Sequence, residues 1–250
     1  MSGHSKWSTI KHKKAAKDAK RGKMFTKLIR EITVATRMGS SGDPNFNPRL
    51  RTAILAAKSA SMPNDNIDRA IKKGIGEGGG AAYEDVMYEG YGPGGVAIMV
   101  RALTDNRNRT VADVRGIFTR GGGSIGEAGC VGWMFQRRGV LLVTGDALAE
   151  DALIELALEA GGDDVTGEDG AWEVTTSPDA FEPVRDALEK SGAKVESAEI
   201  TMVPSNTVEV GGQDAQKLLK LLESLEDHDD VQAVSANADL DDEEVARLSA

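Results

Sequence analysis

Cysteine is almost absent from this chain, and its scarcity excludes several kinds of site. Cys130 is the single cysteine among 250 residues, so an intramolecular disulfide or an all-cysteine zinc site cannot form. No apolar run approaches the ~20 residues that cross a bilayer. The Lys-rich first 20 residues also lack the apolar stretch of a secretory signal. These absences lead us to expect a cytoplasmic protein.

The side chains that commonly carry catalysis are also few. The chain has three histidines: His4 and His12 lie in the Lys-rich start, and His228 lies among acidic residues. Acid–base or nucleophilic catalysis needs such a group held in a pocket by partners. Cys130 lies in an alternating apolar segment that is typical of core packing. We therefore expect no catalytic residue and no metal site.

One glycine-rich stretch has the spacing of a dinucleotide-binding motif. Gly121, Gly123 and Gly126 match G-x-G-x-x-G. A dinucleotide fingerprint follows a strand and opens a helix, whereas this stretch follows a predicted helix and precedes a predicted strand. The phosphate-binding pattern G-x-x-x-x-G-K-[ST] does not occur. We therefore expect no nucleotide cofactor, and we interpret the protein as non-enzymatic.

Charge is divided unevenly along the chain, whose overall net charge is −10. Residues 1–76 hold 17 Lys and Arg against 5 Asp and Glu, a net charge of +12. Residues 77–250 hold 13 Lys and Arg against 35 Asp and Glu, a net charge of −22. Such asymmetry indicates contact with a polyanion at the basic end.

We predict that the basic end binds nucleic-acid phosphate, because each lysine–phosphate contact gains from counterion release. The alternative is a solvated cationic tail, or one that docks on the acidic part of the same chain. Trp7 lies in this segment and is able to stack on a base. The predicted phosphate ligands are the basic residues of the first 30 positions: Lys6, Lys11, Lys13, Lys14, Lys17, Lys20, Arg21, Lys23, Lys27 and Arg30.

A second anion contact is predicted at residues 105–110, where Arg107 and Arg109 enter a predicted helix beside two asparagines. Helix N-termini attract anions, and arginine binds phosphate through two parallel hydrogen bonds. A capping loop with solvent-exposed arginines explains the segment equally well. Arg137 and Arg138 are interpreted as part of a hairpin turn.

Hydrophobic periodicity predicts a basic all-helical domain over residues 1–76. One amphipathic helix is predicted at about 23–38, a second begins at Pro48 with Asn47 as its cap, and a third covers about 64–73. Residues 11–21 carry no bulky apolar side chain. They are therefore interpreted as part of an N-terminal arm that is mobile when the protein is free.

Beyond a glycine-rich linker the pattern changes to strands and helices. Residues 138–205 show the order β-α-β-β-α-β, which is typical of a ferredoxin-like domain. Segments 83–137 and 206–238 each supply a β-α-β half that cannot close a core alone. We predict that these halves join into one discontinuous α/β domain, with 138–205 inserted between them. Two independent domains in series are the alternative.

The discontinuous domain is predicted to contain a strand at 130–136 and another at 207–210. Residues 239–250 are predicted to form a solvated acidic tail. The predicted fold class is therefore α+β and multidomain. It comprises a basic all-helical domain followed by two ferredoxin-like βαββαβ-type α/β domains, the last inserted into the middle one.

Nine sequence motifs along the chain match the pattern of a known family. They lie at residues 2–7, 10–14, 21–23, 62–71, 88–95, 104–110, 129–135, 225–232 and 237–239. On these motifs the chain resembles the YebC family, and the resemblance covers nearly its whole length. It implies a helical first domain, two α/β domains and no known catalytic activity. Ser124 after Gly123 and the acidic 160s are minor departures from the family pattern.

The resemblance also implies a nucleic-acid-associated regulator. Some family members resemble DNA-binding transcriptional regulators. Others, including mitochondrial translational activators of cytochrome oxidase, act on translation, and bacterial relatives are linked to ribosomes stalled on proline-rich sequence. We expect a DNA-binding transcriptional regulator of the YebC type, with an rRNA-binding translation factor that relieves such stalling as the alternative. The acidic α/β domains are expected to avoid phosphate and to present surfaces to a protein partner.

Overall fold

The structure, a computed structural model, describes residues 18–76, 83–145, 149–168 and 170–240. Within these ranges the chain forms seven α-helices together with antiparallel sheets, which confirms the α+β class. Two compact units are present, one of residues 18–132 and 210–234 and the other of residues 133–209 and 235–240. None of the described helices is both long and apolar enough to cross a bilayer.

The first unit contains a bundle of three helices. These are α1 (Asp18–Met38), α2 (Pro48–Ser59) and α3 (Asn64–Gly74). Asn47 joins α1 to α2: its side-chain oxygen accepts a hydrogen bond from the Leu50 amide at 3.1 Å, and its side-chain nitrogen donates to the Ala35 carbonyl at 2.8 Å. Ile32, Leu50 and Ile67 lie in the buried core between the helices. A capping residue predicted from the local sequence therefore also fixes the angle of the connection.

The same unit contains a four-stranded sheet with the order β3-β1-β2-β9. Its elements are β1 (Glu84–Tyr91), β2 (Ala97–Thr104), α4 (Arg107–Arg120), β3 (Ser124–Ile125), α7 (Gly212–Glu226) and β9 (Val231–Ala236). Strand β1 is antiparallel to β2, with Tyr88 opposite Val100, and antiparallel to β3. Phe118 of α4 and Leu218 of α7 are fully buried. In the chain, β1, β2 and β3 come before residues 135–204, and β9 comes after them.

The second unit contains a four-stranded antiparallel sheet with the order β5-β6-β4-β7. Its elements are β4 (Phe135–Thr144), α5 (Glu150–Glu159), β5 (Gly162–Glu168), β6 (Ala171–Thr176), α6 (Phe181–Lys190) and β7 (Lys194–Pro204). Leu141, Leu153, Val174, Phe181 and Leu188 share one core, so α5 and α6 pack on the same face of the sheet. Two short strands, β8 (Val208–Val210) and β10 (Ala238–Leu240), pair with each other.

The strand predicted at 130–136 is wrong for most of its length. The amides of Gly129, Val131 and Gly132 all donate to the Glu89 carboxylate, at 2.8, 2.8 and 2.7 Å. A chain whose amides converge on one carboxylate cannot extend along a neighbouring strand. The segment therefore turns through a 3-10 helix at Gly132–Met134, and β4 begins only at Phe135.

Two further local predictions differ from the structure. The strand predicted at 207–210 pairs with β10, because the Val208 amide donates to the Asn237 carbonyl at 2.8 Å. Arg137 and Arg138 lie inside β4, opposite residues of β7, and form no hairpin turn. Gly139, which follows them, allows α6 to pack closely on the sheet, because a Cβ atom at this position would lie 2.5 Å from the Phe181 ring.

We expect Gly74→Ala to lower the free energy of unfolding by about 1–3 kcal/mol, because α3 packs too closely on α1 to admit a methyl group. A Cβ atom at Gly74 would lie 2.5 Å from Thr36 Cβ and 2.8 Å from the Thr33 carbonyl oxygen. Gly22→Ala is the matched control, since Gly22 lies in α1 with nothing within 4 Å of the added methyl group. The control should stabilise by about 0.5–1 kcal/mol. Urea denaturation measures both, and equal effects would contradict the packing argument.

Candidate nucleic-acid interface

Several of the predicted phosphate ligands lie outside the described residues. These are Lys6, Lys11, Lys13, Lys14 and Lys17, together with the predicted stacking residue Trp7. Lys20 and Arg21 belong to α1, of which the structure describes only the backbone at these two positions. Their binding role stays a prediction. The remaining ligands, Lys23, Lys27, Arg30, Arg107 and Arg109, have described side chains.

Lys23, Lys27 and Arg30 follow one another at helical spacing on α1 and reach the end of α7. The Lys23 ammonium donates to the Asp227 carbonyl at 3.2 Å, and the Lys27 ammonium donates to the Glu226 carbonyl. The Arg30 guanidinium donates to the Asp229 carbonyl at 2.7 Å. The last carbonyls of a helix lack intrahelical donors and carry partial negative charge. Lys23 and Lys27 therefore cap α7, and Arg30 binds the turn that follows it, so these three groups are already occupied within the chain.

Asp230 is the centre of the charged contacts in this unit. The residue is 3% exposed, and its carboxylate accepts hydrogen bonds from Arg30 at 2.9 Å, Arg109 at 2.8 Å and the Thr110 hydroxyl at 2.6 Å. Burial alone would raise the pKa of the Asp230 carboxyl, but these hydrogen bonds and the two arginine charges hold it below its usual value. Arg109 also pairs with Asp105 at 3.0 Å. One carboxylate thus joins α1, α4 and the turn after α7.

Arg107 and Arg109, which the sequence predicted to form one anion contact, have different environments in the structure. Arg109 is turned toward Asp230, whereas Arg107 is exposed and makes no hydrogen bond or ion pair within the part of the chain that is described. Arg107 is the first residue of α4, whose N-cap Asn106 accepts a hydrogen bond from the Arg109 amide at 3.1 Å. Of this pair, Arg107 is the side chain without an ion pair among the described residues.

A second charged cluster joins the helical bundle to the sheet, and sequence reasoning missed it. Arg101 of β2 contacts Glu31 of α1 at 3.0 Å and Asp85 of β1 at 2.7 Å, and Arg49 of α2 contacts the same two carboxylates at 2.8 and 2.9 Å. Burial opposes ionisation of Asp85, but the arginines outweigh it and lower its pKa. Glu31 and Arg101 are 70 positions apart, so no local pattern could have identified the pair.

The groups considered for catalysis have structural partners. Burial and the nearby Glu89 charge raise the pKa of the Cys130 thiol, which keeps the sulfur protonated. Burial would raise the pKa of Glu89, but its three amide donors outweigh this and lower it. His228 Nδ1 accepts a hydrogen bond from the Asp230 amide at 3.1 Å, and its Nε2 lies 3.4 Å from Asp113. Among the described residues no group of three or more His, Cys, Asp or Glu could hold a metal ion.

We expect Asp230→Asn to lower the free energy of unfolding by about 2–4 kcal/mol at pH 7, because it removes the buried counter-ion of Arg30 and Arg109. Asp229→Asn is the matched control: the neighbouring carboxylate is exposed, and only its backbone carbonyl binds Arg30. The control should change stability by less than about 0.5 kcal/mol. Urea denaturation of both variants tests the difference.

The lowered pKa of Asp230 also predicts how stability depends on pH. A carboxyl whose pKa is lowered by folding stabilises the protein above its unfolded pKa of about 4, and this contribution is lost as the pH falls through the lower folded value. The unfolding free energy of the parent protein should therefore fall below about pH 4, and Asp230→Asn should show a shallower fall. Identical acid dependence in the two proteins would mean that Asp230 is not a stabilising carboxylate.

Comparison with known proteins places these observations in a family. The family described as "TACO1/YebC protein N-terminal domain" matches residues 5–77, and that described as "TACO1/YebC second and third domain" matches residues 83–238. A "Probable transcriptional regulatory protein" of Geobacter sulfurreducens is 59% identical over 248 residues, which cover 99% of this chain and 100% of the relative. A protein of Syntrophus aciditrophicus with the same name is 57% identical over 251 residues and covers 100% of both chains.

A solved structure agrees with these matches. The crystal structure of a conserved hypothetical protein from Aquifex aeolicus superposes with a TM-score of 0.82 at 51% sequence identity, covering 90% of this chain and 93% of the other. The resemblance to the YebC family is therefore confirmed by sequence along the chain. The chain belongs to the TACO1/YebC family.

Proposed function

We propose that this protein is a non-enzymatic regulator of gene expression that binds nucleic acid, with duplex DNA as its ligand. The uneven charge carries the proposal: residues 1–76 have a net charge of +12 and the remainder −22. Phosphate is attracted to the first part and repelled by the second, which would orient a nucleic acid toward the helical bundle. The relatives named "Probable transcriptional regulatory protein" support the regulatory part of the proposal.

The structure supports a specific choice of phosphate ligands. Lys58 of α2, Lys72 of α3 and Arg107 of α4 are exposed and have no hydrogen bond or ion pair among the described residues. Exposed cations of this kind bind phosphate without first breaking an internal contact. They would act together with the predicted lysines of the N-terminal arm, whereas Arg30 and Arg109 serve Asp230.

The environment of Cys130 argues against its use as a nucleophile. A cysteine nucleophile requires a thiolate, which a cationic neighbour or a lowered pKa provides. Here burial and the Glu89 carboxylate raise the pKa of Cys130 instead. The acidic α/β part would then supply a surface for a protein partner and would repel phosphate from itself.

Replacing Lys11, Lys13, Lys14 and Lys17 together by alanine should weaken duplex DNA binding and flatten its salt dependence. If each lysine contacts a phosphate, the slope of log K against log salt should become shallower by about 3–4. The chain provides a control with the same change in net charge, since Lys190, Lys194, Lys217 and Lys220 are its four lysines beyond residue 76. Fluorescence anisotropy over a range of salt measures both. Equal slopes for the two variants would contradict a role for the arm.

Arg107→Ala should remove one phosphate contact and make the salt slope shallower by about 1. Arg115→Ala is the matched control, because Arg115 is also an exposed arginine of α4 whose guanidinium has no hydrogen bond or ion pair in the described chain, but it lies two turns from the helix N-terminus. The control should leave the slope unchanged. An equal loss in both variants would indicate general attraction and no contact at the start of α4.

Ultraviolet crosslinking in living cells, followed by sequencing of the recovered DNA and RNA, tests the choice of ligand. Enrichment of promoter DNA with rRNA at background supports the proposal. Enrichment of discrete rRNA positions with promoter DNA at background would overturn it in favour of a ribosome-associated translation factor.

A further inference from the structure

Large apolar side chains are exposed at one place in the helical bundle. Four such side chains are more than half exposed among the described residues: Met38 at 65%, Phe46 at 80%, Ile75 at 52% and Trp133 at 72%. The first three belong to the helical bundle or its connections. Single exposed apolar residues are ordinary, but a group of them marks a binding surface.

Internal contacts bring these three residues to the same end of the bundle. Asn47, at the start of α2, donates to the carbonyl of Ala35 in the last turns of α1. Gly74, at the end of α3, packs on Thr36 of α1. The end of α1, the start of α2 and the end of α3 therefore lie together. We name Met38, Phe46 and Ile75 the apolar end.

The loop between α1 and α2 holds Phe46 outward in a defined conformation. The Phe46 amide donates to the Asp43 carbonyl at 3.2 Å, and the Arg51 guanidinium donates to the Pro44 carbonyl at 3.1 Å. A Cβ atom added at Gly42 would lie 3.1 Å from Ile71 of α3, so the loop also rests on that helix. The Phe46 ring contributes little to the core, because four-fifths of it is accessible to solvent.

Basic residues lie at the same end of the bundle as the apolar end. Arg37 lies in the last turn of α1, and Lys72 and Lys73 lie in the last turn of α3, whereas Asp43 is the acidic residue of the intervening loop. Lys72 is exposed and has no ion pair within the described ranges. A partner that combines negative charge with flat apolar faces complements this surface. Nucleic-acid strands have both properties, phosphate on the backbone and π faces on the bases.

We propose that the apolar end stacks on an unpaired base of a nucleic-acid strand, with Phe46 against the face of the base and Lys72 on a neighbouring phosphate. This inference rests on the proposed nucleic-acid binding and adds a ligand class to it. In a duplex the base faces are covered by their neighbours, so an exposed ring can stack only where a base is unpaired or turned out. Met38 and Ile75, at the same end of the bundle, would add apolar surface near the stacked base.

The test is the affinity of the full-length chain for a fluorescein-labelled 20-nucleotide oligothymidine and for a duplex of the same length. Phe46→Ala should weaken binding of the single strand by about 5- to 150-fold, the range for loss of one stacked base. Duplex binding should change less than about twofold. Phe46→Trp should restore single-strand binding, whereas Phe46→Leu, which keeps the apolar bulk without a ring, should bind as weakly as Phe46→Ala.

Two controls separate stacking from a general surface effect. Met24→Ala removes a partly exposed apolar side chain of α1 and should leave both affinities unchanged. The melting temperature of Phe46→Ala should equal that of the parent, since the ring is largely outside the core. Vesicles of phosphatidylserine provide the competing ligand class, because apolar side chains with a basic border also bind anionic membranes.

The outcomes distinguish this inference from the proposed function. If the parent binds the single strand and Phe46→Ala binds it equally well, the stacking inference is overturned and nucleic-acid binding stands. Full binding by Phe46→Leu also overturns stacking, in favour of an apolar contact. Loss of vesicle binding without loss of oligothymidine binding assigns the apolar end to a membrane. A parent protein that binds neither nucleic acid overturns both the inference and the proposed function.

Discussion

The buried carboxylate of Asp230 is the contact on which the arrangement of the first unit depends. A charge removed from water must be surrounded by donors and opposite charges, or its desolvation destabilises the fold. Here those donors come from Arg30 of α1 and from Arg109 and Thr110 of α4. These three contacts are compatible with one placement of α1 against the sheet. The cluster of Glu31, Arg49, Asp85 and Arg101 constrains the same two elements at a second place.

This arrangement divides the basic side chains into two classes. Lys23 and Lys27 donate to carbonyls at the end of α7, and Arg30 donates to a carbonyl in the turn after it, so backbone oxygens take the place of phosphate. Lys72 and Arg107 remain exposed without internal partners in the described chain. The net charge of a segment therefore overstates the number of cations that a nucleic acid can meet. The residues of a proposed interface must therefore be chosen by their exposure and by their internal ion pairs, as well as by residue type.

Local sequence was a good guide where a feature depends on neighbouring residues and a poor one where it depends on distant ones. The start of α2 was predictable because Asn47 and Pro48 act on their own helix. The strand at 130–136 was wrongly predicted because the Glu89 carboxylate, some 40 positions earlier in the chain, accepts hydrogen bonds from the amides of Gly129 and Val131. The turn predicted at Arg137 and Arg138 was wrong because both residues pair with β7, opposite Met202 and Thr201, more than 60 positions later in the chain. In each of these failures the residue that decides the conformation lies outside any local window.

The sequence by itself determined the family, the α+β class, the positions of the helices and the separation of basic from acidic segments. Each of these follows from residue type, periodicity or motifs within a short window. The tertiary structure decided which cations are available to bind an anion. Arg30 and Arg109 are bound to the Asp230 carboxylate, whereas Arg107 is exposed. It also gathered Met38, Phe46 and Ile75 at one end of the bundle. The physical reason is that ion pairing and exposure depend on neighbours in space, and Lys23 and Asp227 are 204 positions apart in the chain.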